Sequence, residues 1–154
     1  MSQPKGAAAD AYAILSACVA GRTHKISRVI DGVFNDALRP LGIRNTQLTM
    51  LSVIAFTGST TAAEMAPVLV MDKSTVSRNL RVMAKQGWIE WLDAPGRGRR
   101  LRLAAPGRKI LKKARPRWQA AQDRARDILG DAAIESVRQI GDSVGVIPDG
   151  GEAE

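Results

Sequence analysis

The sequence predicts a mostly α-helical fold with one small β hairpin. Apolar residues recur at helical spacing along most of the 154 residues. Only residues 88–92 and 101–103 have the pattern of short strands, and they flank a stretch rich in glycine and arginine. Because 45% of the residues are hydrophobic, the chain can bury a core, and its length favours one domain. We expect this domain at 10–145, between a flexible N-terminus at 1–9 and a flexible acidic tail at 146–154.

The first predicted helix covers residues 10–39 and ends before Pro40, which cannot continue a helix. Its apolar residues repeat every three or four positions and form one face. That face is interrupted by the polar tripeptide Arg-Thr-His at 22–24. Polar groups in such a position usually form a local salt bridge or a contact with a helix end.

The next two helices have recognisable start signals. Asn45 or Thr46 can cap a helix that runs to about Phe56. After a break at residues 57–59, Thr61 and Glu64 have the spacing of a capping box, so a short helix is expected to start there. We expect that helix to stop at Pro67.

A tight connection leads to a helix that Asp72 can cap and Gly87 can end. Val76, Leu80 and Met83 lie on its apolar face. The two short helices therefore form a helix-turn-helix. The first two turns of the second helix present hydroxyls and long donors suited to base edges and phosphates, namely Lys73, Ser74, Thr75, Ser77, Arg78 and Asn79.

The predicted hairpin follows this helix directly, and such a hairpin is a wing. Its tip is flanked by glycine and carries Arg97, Arg99 and Arg100. Several guanidinium groups on a flexible tip can follow a narrow groove, so we expect these three arginines to contact phosphates or the DNA minor groove.

Two helices are predicted after the wing. The first runs from Ala105 to Leu129, starts without a side-chain cap, and contains Pro116, which should kink it. Asp131 is expected to cap the last helix. One side of that last helix is apolar and carries Ile134, Val137, Ile140 and Val144.

The formal charge of +8 indicates a polyanionic partner. The positive charge is concentrated between residues 97 and 117, where no acid occurs. The basic residues there are Arg97, Arg99, Arg100, Arg102, Arg108, Lys109, Lys112, Lys113, Arg115 and Arg117.

Several other functions are disfavoured. The single cysteine, Cys18, excludes an internal disulfide, and together with the single histidine, His24, it cannot form a protein-only structural zinc site. These two residues lie roughly 9 Å apart along a helix, beyond the reach of a catalytic pair. We therefore expect no enzyme activity and no cofactor. The longest uncharged run, 45–63, is too polar for a membrane span, so we expect a cytoplasmic protein.

With these elements in this order, the sequence resembles the MarR (multiple antibiotic resistance regulator) family of winged helix-turn-helix transcription factors. The resemblance rests on Met-Asp-Lys-Ser-Thr-Val-Ser-Arg-Asn-Leu at 71–80, then Gly-Trp-Ile, an Arg-rich tip and a Leu-x-x-x-Gly-Arg helix start, and it covers about 18–130. It implies a helical homodimer with dimerisation helices at 10–39 and 105–145 and a winged helix-turn-helix at 45–103. The implied function is sequence-specific binding of double-stranded DNA at a palindromic operator, most often as a repressor released by a small, possibly aromatic or phenolic, effector.

The resemblance also implies an effector pocket near the first helix. There we expect Arg22 to pair with a carboxylate and His24 to hydrogen-bond, with Phe34, Met50 or Phe56 as apolar wall. The wing departs from the family in one respect, because the family commonly has an Asp beside its wing Arg. Here Asp93 is the only substitute candidate.

Two alternatives stay open. Some proteins of this family sense peroxides through a cysteine in the first helix, which makes a redox-responsive regulator acting through Cys18 one alternative, although a buried, unreactive cysteine is the preferred interpretation. The other is a basic module that binds any duplex without sequence preference.

Overall fold

The N-terminal part of the chain forms two consecutive helices in a computed structural model that describes residues 6–92 and 99–144. Helix α1 spans Ala7–Ala17 and α2 spans Val19–Leu38. The prediction of one helix over 10–39 is therefore wrong at Cys18, whose backbone is extended with φ −65° and ψ 109°. The half-buried Cys18 caps α2, because its Sγ accepts the Gly21 amide at 3.3 Å. Helix α1 begins three residues earlier than the predicted start at residue 10, within the segment predicted to be flexible.

The polar interruption at 22–24 coincides with this break. The Arg22 guanidinium donates to the Ser16 carbonyl, in the last turn of α1. Thr23 Oγ1 donates to the Val19 carbonyl at 2.9 Å. Arg22 thus makes a helix-end contact, one of the two local roles expected of polar groups in this position.

A short 3-10 turn at Arg39–Leu41 leads to α3, which spans Asn45–Thr57. The capping residue is Arg44, so the predicted caps Asn45 and Thr46 already lie in the helix. Gln47 Oε1 accepts the Arg44 amide at 2.9 Å, and Asn35 Oδ1 accepts the Asn45 amide at 2.8 Å. Asn35 of α2 therefore accepts a backbone amide at the start of α3, as a local cap would, and links α3 to α2.

The middle of the chain forms the predicted helix-turn-helix and hairpin. Helix α4 spans Ala62–Val68, continuing one residue beyond Pro67, and α5 spans Lys73–Lys85. Strands β1, Ile89–Trp91, and β2, Leu101–Leu103, pair antiparallel in the register Ile89↔Leu103, Glu90↔Arg102 and Trp91↔Leu101. The core that supports these elements contains the fully buried side chains Leu38, Met50, Leu51, Ile54, Met65, Val76, Leu80, Met83 and Leu101.

Helix α6 spans Ala105–Leu129 and runs through Pro116, and α7 spans Asp131–Ser143. Asp131 is not the cap of α7, since Gly130 holds that position with φ 81°. Instead, Asp131 pairs with Arg126 at 2.9 Å across the bend between the two helices. The positively charged Arg126 in the last turn of α6 also suits the negative end of that helix.

Helix α6 connects the winged lobe, residues 45–103, to a smaller helical cluster. Phe34 from α2 packs there with Ala121 and Ala125 from α6. The acidic tail predicted at 146–154 lies outside the described residues. No helix in the described ranges combines the length and apolar character that crossing a membrane requires.

Candidate nucleic-acid interface

The capping box predicted at the start of α4 is present. Thr61 Oγ1 accepts the Glu64 amide at 3.2 Å, and Glu64 Oε2 accepts the Thr61 amide at 3.0 Å. Thr60 Oγ1 also donates to Glu64 Oε2, at 3.1 Å. Partial burial raises the pKa of Glu64, but the hydrogen bonds from the Thr61 amide, Arg100 and Thr60 outweigh it and leave that pKa below its ordinary value.

The turn between α4 and α5 is tight and contains Val70 in the left-handed region, with φ 50°. A β-branched residue there costs on the order of 1–3 kcal/mol. The amides of Val70 and Met71 donate to the carbonyls of Pro67 and Ala66, at 3.1 Å and 2.9 Å. These bonds hold the turn closed and fix the angle between the two helices.

Asp72 caps α5, as predicted. Its carboxylate accepts the hydroxyl of Ser74, the hydroxyl of Thr75 at 2.6 Å and the amide of Thr75 at 2.8 Å. Those bonds, that of Ser74 first, hold the pKa of Asp72 well below its ordinary value. The cap therefore stays charged at neutral pH, and its contribution to stability is lost only as the pH falls through the lowered pKa.

This cap changes what two predicted DNA contacts can do. Because the hydroxyl hydrogens of Ser74 and Thr75 point to Asp72, these side chains are left with acceptor lone pairs for any partner outside the protein. Asn79 is also engaged, since its amide donates to the Thr75 carbonyl at 3.0 Å.

The exposed face of α5 is made of residues spaced four apart. Val76, Leu80 and Met83 are buried, as the sequence predicts. Lys73, Ser77 and Arg81 form one row on the outer side, and Arg78 is exposed beside them. Arg81 is not among the predicted DNA contacts, although its spacing of four residues from Ser77 places it in the same row.

This row of α5 lines a groove of about 390 Å³ between the helix-turn-helix and the wing. Trp91 and Arg99 form the wing side of the groove, and the guanidinium carbon of Arg99 lies 5.0 Å from the centroid of the Trp91 ring. A cation over an aromatic face is held in place without losing its charge. The groove thus has cations on both sides: Lys73 and Arg81 on the helix and Arg99 on the wing.

The three predicted wing contacts have different surroundings. Arg97 lies outside the described residues, as does Asp93. Arg99 is exposed. Arg100 points back to the helix-turn-helix, where its guanidinium bonds Glu64 Oε1 at 3.0 Å, the Ser59 carbonyl at 2.9 Å and Ser59 Oγ at 3.3 Å. The wing is therefore braced by Glu64, an acid for which the sequence predicts only a capping role.

The five residues predicted to hold an effector are not brought into one cavity. Met50 is fully buried in the winged lobe, whereas Phe56 is exposed near the end of α3. Phe34 lines a separate apolar groove of about 650 Å³ between α2, α6 and α7. Arg22 contacts the end of α1, and His24 is exposed on α2.

Another groove lies between the winged lobe and the long helix α6. Its volume is about 370 Å³, and it combines the cation of Arg115 with the ring of Trp118 and the hydroxyls of Thr49 and Ser52. Leu48 and Leu111 add apolar wall. Arg115 is not among the residues predicted to hold an effector; from the sequence it is only one of the basic residues between 97 and 117.

The predicted seam of α7 is largely uncovered within one chain. Val137, Ile140 and Val144 are 52%, 62% and 64% exposed. Helix α1 has no buried residue, and its Tyr12, Ile14 and Leu15 are exposed. Val137 and Ile140 line the groove of Phe34, whereas Ile14 and Leu15 line a second groove beside Cys18 and Ile26.

The paired helices, the cationic groove and the wing define a winged helix-turn-helix protein. A family model described as "MarR family" matches residues 41–100. The multiple antibiotic resistance protein MarR of Salmonella typhimurium is 30% identical over 112 residues, which are 70% of this chain and 78% of the relative. The chain belongs to the MarR family. Its class is therefore that of transcriptional regulators, not of enzymes.

Solved structures agree with this fold. The M. tuberculosis transcriptional regulator MosR in complex with DNA is 30% identical, with a TM-score of 0.70 over 82% of this chain and 95% of that one. A mutant of MarR from E. coli complexed with operator DNA has a TM-score of 0.75 at 24% identity, over 85% of this chain and 96% of that one. The second likeness shows the fold alone.

Proposed function

We propose that this protein binds a palindromic operator in double-stranded DNA as a homodimer and represses transcription until a small effector releases it. The observation that carries the proposal is the exposed row of α5 facing Arg99 of the wing across the cationic groove. A helix of this kind enters the major groove, while a wing follows the adjacent backbone or minor groove. The solved complex of MosR with DNA supports the same partner.

In this proposal bases are contacted by Arg78 and Ser77, together with Ser74 and Thr75 as acceptors. Arg78 is exposed in the second turn of α5 and has no hydrogen-bond partner among the described residues. A guanidinium in that position can bond two acceptors of guanine at once. Lys73, Arg81 and Arg99 contact phosphates and fix the protein on the duplex without selecting a sequence.

We expect Arg78→Ala to reduce the preference for the operator over random duplex by roughly 5- to 150-fold, the range for about 1–3 kcal/mol of lost discrimination. The measurement is a gel-shift competition that uses DNA from upstream of the chain's own gene against random duplex at fixed salt. Lys85→Ala is the matched control, since it removes one positive charge from the last turn of the same helix. It should weaken binding to both duplexes alike.

If Arg78→Ala keeps the full preference, Arg78 does not contact bases. If the unaltered protein binds both duplexes equally, the alternative of a nonspecific basic module holds instead.

The dimer in this proposal covers the apolar surfaces of α1 and α7. Exposed Val137 and Ile140 line the apolar groove of about 650 Å³, and Val144 is exposed further along α7. A contiguous apolar surface of this kind marks an interaction site in a soluble protein, and a twofold pairing buries it on both subunits at once. Two recognition helices then meet half-sites about one DNA turn, roughly 10 base pairs, apart.

Two places are candidates for the effector. One is the predicted site around Arg22 and His24. The other is the groove of Arg115 and Trp118, which joins α3 of the winged lobe to α6. The second is favoured because a carboxylate and an aromatic ring fit its cation and its indole together. A ligand there shifts the equilibrium between two spacings of the lobes. The free energy of that shift cannot exceed the difference in the ligand's affinity for the two spacings.

We expect an aromatic carboxylate that raises the melting temperature to lose this effect in Arg115→Ala and keep it in Arg22→Ala. The probe set is benzoate and substituted benzoates, screened by thermal shift and then by release of operator DNA. Arg22→Ala should instead lower stability, because the Ser16 carbonyl loses its donor. The reverse pattern, with response lost only in Arg22→Ala, supports the site around Arg22.

A further inference from the structure

We infer that Glu64 and Arg100 form a coupling that sets the position of the wing relative to the recognition helix, and that Arg100 is a positioning residue instead of a DNA contact. The inference rests on the proposed DNA-binding function. It separates Arg100 from Arg97 and Arg99, with which the sequence groups it.

The two oxygens of Glu64 have different tasks. Oε2 closes the capping box of α4 by accepting the Thr61 amide at 3.0 Å, and it also accepts the Thr60 hydroxyl at 3.1 Å. Oε1 accepts from Arg100 NH1 at 3.0 Å. One carboxylate therefore joins the start of α4 to Arg100, the residue that precedes β2 in the wing.

Arg100 uses all three nitrogens of its guanidinium in this contact. Besides Glu64, it bonds the Ser59 carbonyl and the Ser59 hydroxyl. The next residue, Leu101, exchanges two backbone hydrogen bonds with Thr60, at 2.9 Å and 3.0 Å. These bonds hold the start of β2 against the segment before α4. That segment lies along the edge of β2 opposite to β1.

The geometry has a consequence for DNA binding. Trp91 and Arg99 face α5 across the groove, so a shift at the base of β2 changes the distance between Arg99 and the cations of α5. Phosphates on a duplex have a fixed spacing, and a wing that is held at the matching distance binds without a further ordering cost. Arg100 thus acts on DNA through the wing.

Glu64→Gln tests the coupling with little damage to the helix. Glutamine also serves in a capping box, so its amide oxygen can take over the contacts of Oε2. Its amide nitrogen then faces Arg100, donor against donor. Removing a negative charge by itself strengthens binding to a polyanion. We expect the opposite, a loss of operator affinity of roughly tenfold as ordered phosphate contacts are lost.

The matched control is Glu90→Gln. Glu90 pairs with Arg102 at 2.6 Å between the two strands of the hairpin and makes no link to α4. The charge change is the same, and operator affinity should be unchanged or higher. Arg100→Lys provides a second variant, because lysine keeps the positive charge but cannot bond Glu64 and both Ser59 oxygens in one plane. It should lose affinity as Glu64→Gln does.

Amide hydrogen exchange of the protein without DNA gives a readout that does not depend on operator binding. Exchange at Thr60 and Leu101 should accelerate in Glu64→Gln and Arg100→Lys and stay unchanged in Glu90→Gln. The inference is overturned if exchange is unchanged, or if Glu64→Gln binds DNA as tightly as Glu90→Gln while Arg100→Lys binds normally. If the unaltered protein binds no operator, the proposed function fails, and the exchange results still decide whether the coupling exists.

Discussion

Val137→Glu is expected to turn the proposed dimer into a monomer and to lower operator affinity by about two to four orders of magnitude. Val137 lies on the apolar side of α7 and borders the groove that includes Phe34 and Ile134. In a dimer the mutation buries a carboxylate without a partner, which is strongly unfavourable. A monomer then loses the avidity that two linked recognition helices provide.

Sedimentation at micromolar concentration measures the first effect, and a gel shift with the full palindrome measures the second. Gln139→Glu is the control, since it adds the same charge to the other side of α7, where Gln139 bonds Glu135. Val137 is half exposed in the single chain, so the mutant should keep its helical circular dichroism. A Val137→Glu protein that remains dimeric refutes the proposed seam.

Gly107→Ala is expected to destabilise the protein by about 3 kcal/mol, at the upper end of the cost of overpacking. A Cβ on Gly107 would lie 2.0 Å from the Trp88 carbonyl oxygen and 2.9 Å from its carbon. Both are backbone atoms, and the same carbonyl accepts the Ala104 amide at 3.0 Å, so neither side can give way cheaply. The start of α6 and the start of the wing must therefore separate.

Urea unfolding monitored by tryptophan fluorescence measures this loss, and for a domain of this size the melting temperature should fall by roughly 6–12 °C. Gly32→Ala in α2 is the control, because a Cβ there meets nothing within 4 Å. Alanine favours a helix over glycine, so that variant should be neutral or slightly more stable. Equal stability of Gly107→Ala and the unaltered protein would mean that the contact between α6 and Trp88 relaxes without cost.

The sequence predicts the parts of this fold that depend on near neighbours. The capping box of Thr61 and Glu64, the cap by Asp72 and the buried face of α5 all involve residues within one or two turns. The break at Cys18 is missed because cysteine is a rare cap and the apolar spacing continues across it. The cap of α3 is misplaced because Asn35, ten residues away, supplies the acceptor.

The candidate site is predictable to a similar degree. The spacing along α5 gives its exposed face, and the Arg-rich tip indicates a wing. The inward contact of Arg100 is not predictable, because its partners Glu64 and Ser59 lie 36 and 41 residues away. The engagement of the Ser74 and Thr75 hydroxyls depends on side-chain rotamers at the cap, which a pattern of residue types does not specify.

Helix α1 has a thermodynamic consequence. It contains 11 residues and buries none of its side chains within the chain. An isolated helix of that length is marginal in water, and the bond from Arg22 to the Ser16 carbonyl holds only its last turn, so order along the whole helix requires a further contact. If the partner subunit provides that contact, mass action links the folding of α1 to protein concentration. Dilution in the cell would then unfold the N-terminus and dissociate the regulator in the same step.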